Sequence, residues 1–404
     1  MPRTRVHLFV ALALASAACT AEPKSAFSPT SPPADSGVDT LGVVVTAPGM
    51  PVPGLTAGET QSFGLGLQVF GTTFTPASGL GPLFNSNSCV ACHSDPSPGG
   101  YGDSVEVHAT AYHPGQACDE LTAQGGPVVQ QHVTPALATA LGIVQEPVPA
   151  GATAVGHRST PLIFGLGLID AVSDATILAL ARIRYPDGVH GRAAILPDGR
   201  VGRFGRKANT ASLDEFNAGA FFNEMGITNA LNPVENTVAG QPLPTGVDPA
   251  PDPELNANAL AAAEAFVRFL GPVAPLPKTP ETRLGQVLFV QTRCSNCHIP
   301  LLFTGNSPSP ALRHKWFRAY SDLLLHDMGD SDADICNGAA KPSEFRTQPL
   351  IGMQFLDMFM HDGESSTIPD AILRHGGEGA AARARFQALT PSDQAALVAF
   401  VQSL

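Results

Sequence analysis

The chain has 404 residues, enough for two or three domains, and a formal net charge of -12. Its 23 Lys and Arg residues against 35 Asp and Glu residues give no basic footprint, so we predict that the protein does not bind nucleic acid. The 44% hydrophobic content is ordinary for a globular protein, and the 40 Gly and 37 Pro residues predict many loops.

Residues 1–19 have the pattern of a secretion signal. Arg3 and Arg5 precede a mostly apolar run over residues 6–18, which is shorter than the roughly 20 residues of a membrane-spanning helix. Small residues then precede Cys19, which fits signal-peptidase cleavage. The pattern also resembles a lipoprotein signal in which Cys19 is lipidated, although Ser16 stands where such signals usually have Leu. We expect a periplasmic protein whose contact with a membrane is restricted to a lipid anchor at Cys19, if one is attached.

Residues 20–58 are rich in Pro, Ser, Thr, Gly and Ala and contain few large apolar side chains. Such a composition cannot bury enough apolar surface to fold. We therefore predict a flexible tether that ends where the first folded domain begins, at residue 59.

A five-residue motif then occurs twice, as Cys89-Val90-Ala91-Cys92-His93 and as Cys294-Ser295-Asn296-Cys297-His298. C-x-x-C-H is the attachment signature of c-type haem. Both cysteines form thioethers to the porphyrin, and the histidine is the proximal iron ligand. A four-cysteine zinc site would bring its pairs within about 20 residues, whereas these are about two hundred apart. We predict two covalently attached c-type haems.

The elements around the motifs also repeat. Helices are predicted over residues 173–181, 212–225 and 254–270, and turn residues predict a hairpin-like excursion over residues 182–207. Residues 284–289 then echo residues 65–70, Arg346 and its neighbours echo Arg158 and its neighbours, and a helix over residues 390–404 ends the chain. We predict a mainly α fold of two haem domains, residues 59–275 and 276–404, with long loops and a small β excursion.

Two further cysteines, Cys118 and Cys336, belong to neither motif nor signal. In an oxidising compartment such a pair can form a disulfide, and two separately buried thiols are the alternative.

Several stretches of the chain resemble those of a known family. They are Gly79-Leu80-Gly81-Pro82 with Phe84-Asn85, residues 89–93, 164–171, 202–205, 225–228 and 323–329, and His361-Asp362-Gly363 through residue 378. They are similar to the bacterial di-haem c oxidoreductases related to di-haem cytochrome c peroxidase, and closest to a branch labelled thiol oxidoreductases. The resemblance implies that the two haem domains are cytochrome c-like. It also implies a peroxidase-like enzyme whose first haem handles a peroxide substrate while its second haem relays electrons from a small electron-donor protein such as a cytochrome.

The resemblance also implies a distal ligand for the second haem. In the peroxidases this ligand follows the Asp of the His-Asp-Gly motif by thirteen residues, which here leads from Asp362 to His375. The peroxidases usually carry Met there, so this chain departs from them and we predict a bis-histidine haem. The alternatives are that His375 only caps its helix and that Met328 is the ligand.

Aligning the two halves of the repeat gives no equivalent distal ligand for the first haem. Aligning Asp174 with Asp370 puts Ala179 opposite His375. Alanine cannot bind iron, so the first haem has either an open position or a ligand from elsewhere. His108 and His113, fifteen and twenty residues after His93, are the candidate ligands and the catalytic candidates of the first haem. The sequence around them is poorly periodic, which predicts loops around the haem.

Two further groups are candidate binding residues. Arg158 and Arg346 can hold haem propionates, or lie in surface salt bridges. The loop with Asp327, Asp330, Asp332 and Asp334 is a calcium candidate, with an ordinary acidic loop as the alternative. The competing interpretation of the whole chain is a non-catalytic di-haem electron-transfer protein.

Overall fold

The computed structural model of the protein describes residues 41–404. The predicted signal, Cys19 and the start of the predicted tether lie outside the described residues. The α-helices are α1 Ala57–Phe70, α2 Cys89–Cys92, α3 Pro135–Leu141, α4 Leu166–Asp170, α5 Asp174–Leu180, α6 Leu213–Met225, α7 Ala257–Phe269, α8 Pro280–Gln291, α9 Ile368–Arg374, α10 Ala380–Gln387 and α11 Pro391–Gln402. Of the helices within residues 41–404, none has the length and apolar character needed to cross a membrane.

The strands are short and pair locally. They are β1 Leu83–Phe84, β2 Val105–Thr110, β3 Val128–Val129, β4 His132–Val133, β5 Ala154–Ser159, β6 Ala194–Ile195, β7 Val201–Gly202, β8 Leu302–Phe303, β9 Trp316–Phe317, β10 Leu325–Asp327 and β11 Glu344–Arg346. Among the described residues, β3, β2 and β5 form a three-stranded sheet, and the pairs β1–β4, β6–β7, β8–β9 and β10–β11 form two-stranded sheets. All of these pairings are antiparallel.

The prediction of a mainly α fold is wrong in its proportions, because the structure is a mixture of helices and short strands. The sequence around His108 was predicted to be loop, since its pattern is poorly periodic. It forms β2, which pairs with β5 over its whole length, from Val105 opposite Ser159 to Thr110 opposite Ala154. The hairpin predicted within residues 182–207 is confirmed as β6 and β7.

Side chains cap the starts of several helices. Ser173 accepts a hydrogen bond from the Thr176 amide at the start of α5, and Thr390 accepts one from the Asp393 amide at the start of α11. At the start of α1, Thr56 and Glu59 accept from each other's amides. Each cap supplies an acceptor to an amide that has no partner within the helix.

The repeat seen in the sequence is also a repeat of helix packing. α1 packs against α7 in the first half, and α8 packs against α11 in the second. A Cβ atom at Gly66 would overlap the carbonyl oxygen of Ala262, and one at Gly285 would overlap that of Ala396. The two glycines hold equivalent positions in the echoed stretches, and they allow the same close approach of helices in both halves.

One hydrophobic core joins the two predicted haem domains. It contains Phe63, Leu168 and Phe266 from the first half and Phe317 and Leu323 from the second. A disulfide between Cys118 and Cys336 also links the halves, with a Cα–Cα distance of 5.6 Å. Of the two alternatives for this pair, a disulfide or two separate thiols, the structure has the disulfide.

The tether prediction is wrong for residues 41–58. Val43, Val44 and Val52 are buried. The Val44 amide donates to the Trp316 carbonyl at 2.9 Å, and the Val52 amide donates to the Phe269 carbonyl at 2.7 Å. Three apolar side chains in a polar stretch are enough to hold this segment against the body, and composition averaged over the segment concealed them.

Candidate haem-binding site

The two cysteine motifs fold into single helical turns. Cys89–Cys92 is the short helix α2, which Ser88 caps by accepting from the Ala91 amide at 3.2 Å. In the second motif, Cys294–Asn296 is a 3-10 turn. One turn places both cysteines of a motif on the same side of the backbone, as attachment to one porphyrin edge requires. All four thiols are free and half-buried.

The adjacent histidines are oriented as iron ligands. Nδ1 of His93 lies 3.1 Å from the Gly100 carbonyl, and Nδ1 of His298 lies 2.9 Å from the Tyr320 carbonyl. Because a carbonyl only accepts, each Nδ1 carries the proton and donates. Burial lowers the pKa of His93, and it lowers the pKa of His298 to about 4. Both rings are thus neutral at physiological pH and keep an Nε2 lone pair, which is the form of imidazole that binds a metal ion.

Equivalent aromatic side chains support both rings. Phe70 lies 6.3 Å from His93 and Phe289 lies 6.4 Å from His298, measured between ring centroids. The partner helices supply a second ring to each, with Phe266 4.8 Å from Phe70 and Phe400 5.4 Å from Phe289. The duplicated unit therefore includes the apolar wall behind each proximal histidine.

A cavity of about 530 Å³ connects the two motifs. Its wall includes His93, Cys294, Cys297 and His298. Because side chains from both halves face one continuous space, two haems held by these motifs would lie within the same body.

The predicted distal residue His375 reaches this cavity. It is the C-cap of α9, and its Nδ1 donates to the Ala371 carbonyl at 2.7 Å. Burial lowers the pKa of His375, and the ring is close enough to His298 to lower the pKa of that residue as well. His375 is therefore another neutral imidazole with its Nε2 lone pair available, and capping the helix does not exclude binding iron.

Met328 lies beside His375 and also lines the cavity. A Cβ atom at Gly379 would be 2.9 Å from the His375 Cβ and 3.2 Å from the Met328 Cε. The two candidate ligands thus pack against the same glycine, and Met328 remains the alternative.

In the first half, the residue equivalent to His375 is an alanine. Ser173 caps α5 and Thr367 caps α9, and eight residues beyond these caps lie Ala181 and His375. The sequence alignment, which put Ala179 opposite His375, is displaced by two residues, but its conclusion holds for Ala181 as well. Helix α5 supplies no iron ligand at this position.

The structure separates the two histidine candidates for the first haem. His113 is exposed and does not line the cavity. His108 lines it, and its Nε2 lies 3.1 Å from Glu106 Oε2. Its buried Nδ1 has no hydrogen-bond partner among the described residues. Because Nε2 donates to the carboxylate, this Nδ1 presents an unused lone pair.

Two carboxylates of the cavity wall, Glu106 and Glu224, belong to none of the sequence motifs and were not predicted. Burial and the nearby charge of Glu106 raise the pKa of Glu224 well above its usual range. Asn85 Nδ2 donates to Glu224 Oε2 at 2.8 Å, so Asn85 orients this carboxyl. Glu106 lies near enough to His93 for its charge to act on that ring.

Arg158, Arg206 and Arg346 are three of the arginines that line the same cavity. Arg158 pairs with Asp334 in a buried ion pair, whereas the salt-bridge alternative placed it at the surface. Arg206 and Arg346 make no ion pair with a carboxylate in the described part of the chain. Burial and the charge of Arg158 lower the pKa of Arg206 to about 10, and burial and the charge of Arg206 lower that of Arg346 to about 9. This uncompensated positive charge fits the two propionates of a haem.

In the calcium candidate loop of residues 327–334, the structure favours the alternative of an ordinary acidic loop. Asp332 binds Arg374 at 2.8 Å, whereas Asp334 binds Arg158, so these carboxylates serve separate ion pairs. Within residues 41–404, the carboxylates that do converge to within 4.8 Å of one another are those of Glu235, Asp248, Asp252 and Glu254.

Comparison with known proteins gives one family match. The model of the family described as "Di-haem oxidoreductase, putative peroxidase" matches residues 150–404, more than half of the chain. No curated protein matches the sequence.

Among solved structures, the chain is similar to the diheme peroxidase BthA from Burkholderia thailandensis, with 19% identity, 90% of each chain covered and a TM-score of 0.39. It is also similar to hydrazine synthase from Kuenenia stuttgartiensis, with 14% identity over 93% of this chain and 100% of that chain and a TM-score of 0.37. A MauG-like protein associated with microbial copper homeostasis has 18% identity over 58% of this chain and 89% of that chain, with a TM-score of 0.29. Likenesses at this level establish no shared activity.

Proposed function

Because the chain belongs to the di-haem oxidoreductase family, we propose that it is an exported c-type enzyme that reduces a peroxide at its first haem and relays electrons through its second. The first haem is the one attached at Cys89 and Cys92 with His93 as proximal ligand, and the second is attached at Cys294 and Cys297 with His298. The electrons come from a small donor protein such as a cytochrome.

A chemical difference between the two halves carries this proposal. The second half offers His375 near His298, whereas the first half has Ala181 at the equivalent place. The first half instead brings Glu106, His108 and Glu224 to the cavity. With haems attached at both motifs, the acid–base side chains of the first half would make its haem reactive, and the second imidazole would close the haem of the second half.

The carboxyl pair would supply protons to the reactive haem. A haem iron with an open position binds a peroxide oxygen, and peroxide takes up two electrons and two protons to give two waters. Asn85 donates to Glu224 Oε2, which leaves Oε1 to carry the carboxyl proton. Glu106 accepts from His108, and its charge helps to keep the proton on Glu224. A neutral carboxyl in a buried cavity is suited to general acid catalysis.

The second haem would serve as the relay. With neutral imidazoles of His298 and His375 as its two protein ligands, it would offer no open position to a substrate. Imidazole in place of a thioether lowers the haem potential, since Met ligation raises it. If Met328 were the ligand instead, the relay would have a higher potential.

Arg206 and Arg346 would hold haem propionates, with Arg158 as a weaker third candidate because Asp334 already compensates its charge. A guanidinium and a carboxylate form paired hydrogen bonds. The proposal also includes export directed by residues 1–19 and, if Cys19 is lipidated, attachment to a bacterial membrane.

The experiment is steady-state peroxide turnover by the holoprotein with a reduced cytochrome as electron donor. We expect turnover in the wild type and a loss of about 10²-fold or more in kcat for Glu224→Gln, since general acid–base groups contribute about 10²–10⁴-fold. Glu281→Gln is the matched control, because Glu281 is an exposed carboxylate in the first turn of α8. It should keep wild-type turnover, and both variants should keep two haems.

A holoprotein that carries both haems and passes electrons to and from a cytochrome, but turns over no peroxide, would contradict the enzyme proposal. That result would favour the alternative of a non-catalytic electron-transfer protein. Equal turnover by Glu224→Gln and the wild type would reject the role of Glu224.

A further inference from the structure

A histidine beside the second cysteine motif is held between two carboxylates. Nε2 of His326 lies 2.9 Å from Asp322 Oδ2, and its Nδ1 lies 2.8 Å from Glu378 Oε2. The same Nδ1 lies 3.7 Å from the Cys297 sulfur. The side chains of Asp322 and His326 are each 3% exposed. Asp322, His326 and Glu378 have no part in the peroxide chemistry described above.

The geometry determines the charge of this ring. A carboxylate only accepts hydrogen bonds, so both ring nitrogens must donate, and the ring is an imidazolium. The hydrogen bonds to Asp322, Cys297 and Glu378 raise the pKa of His326 to about 12, although burial alone would lower it. The three side chains together therefore carry two negative charges and one positive charge.

The surrounding backbone leaves this ring little room to move. A Cβ atom at Gly191 would lie 2.5 Å from His326 Nε2, so only glycine leaves space for the ring. The His190 amide donates to Glu378 Oε2 at 2.9 Å and fixes that carboxylate. Asp322, His326 and Glu378 therefore form a closely held group of three charges, and His326 of this group contacts the sulfur of Cys297.

We propose that Asp322, His326 and Glu378 are positioning residues that set the reduction potential of the second haem through fixed charge and through the contact of His326 with Cys297. This inference rests on the proposed attachment of that haem at Cys294 and Cys297. In a haem bound there, the Cys297 sulfur becomes a thioether on the porphyrin edge, so the imidazolium lies next to the group whose charge changes by one electron.

The direction of each effect follows from Coulomb's law. A positive charge near the haem favours the ferrous state, a negative charge favours the ferric state, and both effects are large where water is excluded. Hydrogen bonds and burial around a haem are recognised means of tuning its potential. Removing the charge of Glu378 should raise the potential, and removing the charge of His326 should lower it.

The experiment is a spectroscopic redox titration of the purified holoprotein at pH 8, with the two haems followed separately. Glu378→Gln keeps an acceptor for His326 and removes one negative charge. We expect it to raise the ferrous-to-ferric ratio of the second haem about tenfold at a fixed applied potential, which is about 59 mV for a one-electron couple. His326→Gln should lower that ratio. Glu364→Gln, an exposed carboxylate of the same half, is the control and should leave it unchanged.

The inference holds if the second haem's potential decreases in the order Glu378→Gln, wild type, His326→Gln, while the first haem's potential is unchanged. Any other order overturns it, because general damage to the fold would shift both variants in the same direction. Absence of a haem at the second motif would instead reject the proposed function, and the haem stain of the denatured protein distinguishes that failure from this one.

Discussion

Replacing Cys294 and Cys297 with alanine should leave the protein with one covalently attached haem instead of two. The four cysteines of the motifs are free thiols, so no other bond competes for them in the apoprotein. Intact-mass measurement of the denatured protein, in which only covalently held haem remains, should give the mass of the polypeptide plus one haem. The same replacement at Cys89 and Cys92 should have the same effect on mass.

The matched control is Cys118→Ala with Cys336→Ala. This pair forms the disulfide, so its removal should cost stability, typically about 2–4 kcal/mol, while both haems stay attached. A protein that kept two covalent haems after loss of either motif would show that the motifs do not attach them.

Replacing His375 with alanine should open the iron of the second haem and convert its low-spin signal to high-spin. The reason is that Nδ1 of His375 is committed to the Ala371 carbonyl, which leaves Nε2 as the donor to iron. His375→Met should keep the low-spin state and raise the potential, because a thioether favours ferrous iron. Electron paramagnetic resonance at low temperature measures the spin states, and a redox titration measures the potential.

The first haem is the internal control, and its spectrum should change little in either variant. Peroxide turnover should fall because the relay is mistuned. If a folded His375→Ala protein kept its low-spin second haem, His375 would not be the ligand. Met328, which packs against the same glycine, would then be tested by Met328→Leu.

The helical repeat and the cysteine motifs could be predicted from the sequence because they are local. A motif of five residues specifies its own turn, and caps such as Ser173 and Thr390 specify where a helix begins. The echo between residues 65–70 and 284–289 also proved structural, since Gly66 and Gly285 allow the same helix contact.

The acid–base groups of the first haem could not be predicted in this way. Glu224 and its partner Asn85 are 139 residues apart in the sequence, and only the folded chain brings them together. Glu106 could have been predicted more easily, because alternate residues of a strand share a face and Glu106 is two residues from the candidate His108. Assigning this stretch to a loop concealed that relation.

The arginines and aspartates illustrate the same limit. The echo of Arg158 and Arg346 predicted one role for both, but only Arg158 has Asp334 as a partner. Arg206 was not among the candidates, since nothing in its neighbourhood repeats. Charge compensation is a property of the packed structure, and spacing along the chain does not reveal it.

The division of labour between the haems is tested most directly by the spin state of the resting wild-type protein. Its electron paramagnetic resonance spectrum should show one low-spin haem, from His298 and His375, and one haem with a high-spin fraction, beside Glu106 and Glu224. Two purely low-spin haems in every oxidation state would contradict the account, because neither iron would then have a position for peroxide.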